Sequence, residues 1–175
     1  MSKRLLLPIL ATIAVACAAW AAPSVRRGAL AAMENSFQRT LQASEMEILA
    51  LPRGVYLEGY GAVFTADVNL VYTPSINPFR LTIGKEEVAA VYQRKLAKMP
   101  VLRAAMRQLL VDSGSALESV PQQEQIVVVV TLGNEKWETT GGLPSQIYMQ
   151  GQRSKLMEAK LGKVPAENVI KVQEL

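Results

Sequence analysis

The sequence predicts an α+β fold, a two-layer sandwich in which a mixed or mainly antiparallel sheet of three to five strands carries helices packed on one face. Three observations predict it. Apolar residues recur at three- and four-residue steps over 28–49 and again over 84–117, the spacing of helices with one buried stripe. From Ala62 to Tyr72 the period drops to two, as in a strand with one side on a core and one toward water. The run Ile126-Val127-Val128-Val129-Val130 has no polar face, which marks a strand buried on both sides and central in its sheet.

Met1-Ser2-Lys3-Arg4 is a short basic start, and Leu5 to Ala19 is almost purely apolar. Ala19-Trp20-Ala21 offers the small residues a signal peptidase reads. Residues 1–22 are therefore expected to be an export signal, with 23–175 a single mature domain beginning near Ala22 or Pro23 and located in the periplasm or outside the cell. The apolar stretch is shorter than the roughly 20 residues of a bilayer span, and no later run is long enough, so no transmembrane span is expected in the mature chain. Lipid attachment at Cys17 is not expected, because Ala14-Val15-Ala16 lacks the leucine that usually stands three residues before a lipidated cysteine.

The expected mature chain starts with an amphipathic helix over 28–49, whose Leu30, Met33, Phe37, Leu41 and Ile48 fall on one side. Leu51-Pro52-Arg53-Gly54 breaks it. Val55 to Glu58 is rich in strand formers, and the strand over 62–72 follows. Gly59 and Gly61 between them fit either a hairpin turn or a bulge in one long bent strand. The bent strand is preferred, since Val55-Tyr56-Leu57-Glu58 is short for a separate arm. A third use of these glycines is close approach of a ligand beside Tyr56 and Tyr60.

Thr73 to Pro78 is a turn-rich crossing. A helix opens near Gly84, with Glu86 and Glu87 at the positive end of its dipole, and Val88, Val91, Tyr92, Leu96 and Met99 form its stripe. Pro100 is placed as the first residue of a second helix that continues to Leu117. Arg94, Lys95, Lys98, Arg103 and Arg107 on this pair are expected to form a solvated face. The Val-rich strand spans 125–132 and forms an antiparallel hairpin with 145–150, while a helical crossover leaves room for parallel pairing between it and the 62–72 strand. A short helix over 153–161 closes at Gly162, and Val169 to Val172 is the last strand.

Composition narrows the chemistry. The chain has no histidine and one cysteine, Cys17, which leaves with the signal. Without His or Cys there is no Ser-His-Asp or Cys-His catalysis and no ordinary zinc, haem or iron–sulfur site. No phosphate-binding glycine loop, calcium-hand loop or nucleophile elbow occurs, and neither a cofactor nor a metal is expected. Removing Lys3 and Arg4 from 19 basic residues leaves 17 against 15 acidic, a formal +2 that argues for no particular partner, and a nucleic-acid role would contradict the expected export.

The dozen residues from Gly133 to Pro144 are longer than most connections, and long loops are disproportionately functional. They present Trp137 between Glu135 and Glu138, with Asn134 close by; an aromatic face beside carboxylates suits sugars or cationic groups. Asn134, Glu135, Trp137 and Glu138, with Tyr56 and Tyr60, are the candidate ligand-binding residues. The expected function is a non-enzymatic binding or interaction module with an envelope protein or a polysaccharide as partner. The alternative is a hydrolase acting on an envelope or extracellular glycan through carboxylates drawn from Glu58, Asp67, Glu135 and Glu138. A third use is assembly through the first helix or a free sheet edge.

Overall fold

The computed structural model describes residues 25–74, 76 and 82–175, and within them the fold is the expected α+β sandwich. Its expected processing site, and part of the 73–78 crossing, lie outside the described residues. Helix α1 (Arg27–Ala43) turns Leu30, Met33, Phe37 and Leu41 into the core. It ends at Ala43 rather than near Leu49. Glu45 takes a left-handed φ of 54°, its N–H donates to Gln42 O, and the N–H of Met46 donates to Leu41 O. That is a Schellman stop, usually built on glycine, with the buried Met46 and Leu41 side chains beside it.

Strand β1 (Glu47–Leu57) therefore occupies residues assigned to the end of the helix, and it pairs antiparallel with β2 (Gly61–Asn69). The bent single strand is thus corrected to a hairpin. The expectation of a four-residue arm failed because the arm begins at Glu47 and runs eleven residues. Pro52 is accommodated in it because β1 is an edge strand. The next outward position is closed from α1, where Glu34 Oε1 accepts from Gly54 N at 2.7 Å and Arg27 Nη1 donates to Gly54 O at 3.0 Å. A proline and a side-chain clamp blunt an edge that would otherwise recruit another strand.

Helix α2 (Lys85–Ala116) is one helix of 32 residues, not two. Pro100 is exposed in its middle, and Val91, Lys95, Met99, Leu102, Met106, Leu109 and Leu110 form a buried stripe that crosses it without a break. An interior proline costs about 3 kcal/mol, whereas burying Met99 and Leu102 on either side contributes about 1.5–3 kcal/mol each. Packing keeps the helix whole.

The crossover delivers β3 (Gln125–Leu132) parallel to β2, with Ala62 opposite Ile126, Phe64 opposite Val128 and Ala66 opposite Val130. β4 (Gln146–Gln152) returns antiparallel, α3 (Arg153–Lys160) follows, and a single 3₁₀ turn over 166–168 leads to β5 (Lys171–Glu174). The strand order is β1-β2-β3-β4-β5, so the Val-rich strand is central as expected. Ile126, Val128 and Val130 face the helices. Val127 and Val129, on the other face, are nearly as buried, held in register between Val63 and Gln150 and between Thr65 and Tyr148.

Candidate functional site

The two ends of β3 hold different chemistry. At its start, a cleft of about 550 Å³ opens among Tyr60, Gln125, Gln150, Gly151, Gln152, Lys155, Asn168, Val169 and Lys171. The register brings these together: Gly61, Gln125 and Gln152 form one row across three strands, and Val63, Val127, Gln150 and Lys171 form the next. Both rows lie on the face opposite the helices, because they alternate with the buried Ala62, Ile126 and Phe64, Val128 rows. α3 and the 3₁₀ turn add Lys155 and Asn168 at the rim.

The hairpin forms one wall of this cleft. Tyr60 N–H donates to Leu57 O at 3.0 Å, and Gly59 takes a φ of 77° at the third turn position, a conformation that glycine adopts without strain. Gly61 is confined by a neighbour: its φ is 134°, and a Cβ there would lie 1.8 Å from Gln125 O. The two glycines shape backbone and permit close approach of β3, with Gln125 N–H bonded to Tyr60 O at 2.8 Å.

Behind the turn, Glu124 Oε1 accepts from the Tyr56 hydroxyl and from Gly59 N–H, each at 3.2 Å. Burial, then the hydrogen bond and charge of Glu124, with Glu58 adding to them, push the Tyr56 phenol up to about 12. It stays a proton donor and fixes the turn that carries Tyr60. Glu124 Oε2 is buried with no partner among the described residues. Of the two tyrosines singled out in the sequence, Tyr60 lines the cleft and Tyr56 supports it.

At the far end of β3, about 23 Å away for seven residue steps, lies the long loop. Lys95 reaches it from α2 and donates to Gly133 O at 3.2 Å, to Asn134 Oδ1 at 2.9 Å and to Glu138 Oε2. The Lys95 and Glu138 side chains are each 1% exposed. Of the solvated basic face expected on α2, Lys95 is the exception and points inward; Arg94, Lys98, Arg103 and Arg107 stay at the surface, where Lys98 pairs with Glu45 and Arg103 with Glu174. Tyr92 hydroxyl, donating to Gly141 O, ties down the rest of the loop. Trp137 is half-buried and its indole N–H finds no acceptor among the described residues, while Glu135 is exposed. The expected aromatic face flanked by two carboxylates is not formed, because Glu138 turns into the interior and Glu135 into solvent.

The carboxylates that a hydrolase would need are also apart. Glu58 and Asp67 are exposed at opposite ends of β2, roughly 20 Å apart at strand rise, and Glu138 is committed to Lys95. Among the described residues no group of three acidic side chains is placed to hold a metal ion, and no helix is long and apolar enough to cross a membrane.

Sequence reasoning missed Gln125, Gln150, Gln152, Lys155, Asn168 and Lys171. A signal was present in the alternation of Gln146, Tyr148, Gln150 and Gln152 with Ile147, Met149 and Gly151, which puts a row of polar side chains on one face of β4. The chain matches no protein-family model, no curated protein and no solved structure.

Proposed function

We propose that this protein is an exported binding module that holds an envelope or extracellular polysaccharide in the cleft at the start of β3. The lining of that cleft carries the reading. Gln125, Gln150 and Asn168 each carry a paired donor and acceptor, the complement of a sugar's hydroxyls, and Gln152, whose Nε2 donates to Gln123 O at 3.1 Å, adds its Oε1 as an acceptor. Tyr60 supplies an aromatic ring at the rim, and Lys171 favours a chain bearing carboxylates or sulfates, while Lys155 is paired with Glu158 at 3.0 Å. The volume falls within the range of small-ligand sites, enough for a short stretch of saccharide. No histidine or mature thiol is needed for binding alone.

The expected export places the cleft where such polymers occur, and mass spectrometry of the chain isolated from its cells should find an N-terminus at Ala22 or Pro23. Binding is tested by calorimetric or NMR titration with neutral glucan, chitin-type and polyuronate oligosaccharides. The polyuronates should bind best, with resonance shifts at Tyr60, Gln150 and Lys171. Gln150→Ala and Lys171→Ala should each weaken binding about three- to tenfold, the effect of one lost polar contact. No shift at these residues with any of the three classes would refute the assignment.

A further inference from the structure

The Lys95–Asn134–Glu138 cluster contains the parts of a bond-forming site. We propose that Lys95 and Asn134 join through an intramolecular isopeptide bond, with Glu138 as the proton carrier. Three observations converge. Lys95 Nζ is held 2.9 Å from Asn134 Oδ1, so the amine and the carboxamide are in direct contact. Glu138 touches the same Nζ through Oε2, while its Oε1 is buried with no partner among the described residues and is open to receive or deliver a proton. The Lys95 and Glu138 side chains are shut off from water, so no solvent molecule competes with the contacts among the three groups. The carboxamide is oriented by its own Nδ2, which donates to Leu132 O at 3.4 Å.

The step balances without oxidant, reductant or co-reactant. Lys95 passes one proton to Glu138, and the neutral amine attacks Asn134 Cγ. Glu138 returns that proton to Nδ2 and takes a second from Nζ. The Cγ–Nδ2 bond breaks, the Nζ–Cγ amide remains, and the nitrogen leaves as ammonia with the second proton following it as ammonium. The product links α2 covalently to the loop after the central strand. It closes a loop of chain in a protein whose single cysteine lies in its first 20 residues, outside the described fold. The energetic effect is the one a disulfide has, since the constraint acts on the unfolded chain.

The bond is read directly on the full chain. After the N-terminus is determined, the intact mass under denaturing conditions should be lower than the sequence mass by one ammonia. Trypsin should fail to cut after Lys95 and should release a branched peptide joining residues 95–98 to 108–136. Asn134→Ala and Glu138→Ala should restore the full mass and the ordinary cut. Asn134→Asp should lose one water instead of one ammonia. An unmodified intact mass overturns the proposal and leaves a structural ion pair. A lost ammonia without the branched peptide, which a succinimide at Asn134 gives, overturns it equally.

Discussion

Gly59 and Gly61 stand two residues apart, yet replacing each with alanine should have very different effects. At Gly59 the added methyl meets nothing within 4 Å, and the only obstacle is the φ of 77°. A left-handed conformation costs an alanine about 1–2 kcal/mol. At Gly61 the φ is 134° and the methyl lies 1.8 Å from Gln125 O and 2.8 Å from Gln125 C and N, all main-chain atoms of the neighbouring strand. Strain at such a φ costs about 1–3 kcal/mol. Relieving the contact also pulls apart the start of the β2–β3 ladder, at about 0.5–1.5 kcal/mol per hydrogen bond lost. With two such bonds lost the sum is about 2–6 kcal/mol for Gly61→Ala. Urea unfolding followed by circular dichroism reads the difference. With a slope near 2 kcal/mol per molar, the midpoint should fall by about 1–3 M for Gly61→Ala and about 0.5–1 M for Gly59→Ala. Gly59→Asn should recover part of the smaller loss, since asparagine tolerates the left-handed region. Equal midpoints, or a larger loss at Gly59, would show that the backbone of β3 does not press on Gly61 and would refute the reasoning.

Other perturbations test other contacts. Gly114→Ala gains about 1 kcal/mol in helix propensity but drives a methyl to 2.9 Å from Leu156 Cβ and 3.0 Å from Met157 N; with overpacking at about 1–3 kcal/mol, the melting temperature should fall, whereas Gly28→Ala in open space should raise it slightly. Tyr56 is raised in the folded state, so its contribution is complete below pH 10 and is lost as pH climbs from about 10 to about 12; alkaline melts should show this fall, and Tyr56→Phe should remove it. Glu174 is lowered by its hydrogen bond to Arg103, so its contribution is present above the usual carboxylate range and fades as pH drops through it. Glu174→Gln should flatten the acid side of the stability curve by no more than about 1 kcal/mol, because the pair is about one-third exposed.

Elements whose evidence was a long periodic run were legible in the sequence. The buried face of α1 and the central place of β3 followed from Leu30, Met33, Phe37 and Leu41 and from the valine run, because burying such side chains is worth more than any local preference that opposes it. Boundaries were misread where local rules had exceptions. Glu45 stops α1 in the left-handed conformation normally given to glycine, and Pro100 sits inside α2 on its wet side. The apolar stripe of α1 is covered by the chain's own core, and on the β1 edge Pro52 and the Gly54 clamp occupy two positions.

The candidate site was less legible. Tyr60 was found because it adjoins an unusual glycine pair, but its companions come from residues 125, 150–152, 155, 168–169 and 171. Glutamines on a strand look like ordinary solvated positions until the register aligns them. Lys95 looked like one more charge in a basic cluster, and only its angular place on α2, together with the path of the 133–144 loop, turned it inward.

The order of residues alone determined the class of fold, the face that each long element buries and the absence of histidine and thiol chemistry from the described domain. These depend on composition and on periods of two and 3.6, which are local quantities. The tertiary structure decided the strand order, the cleft and the Lys95–Asn134–Glu138 contact. Each needs groups dozens of residues apart to meet, and that meeting is set by the crossover of α2 and the register of five strands.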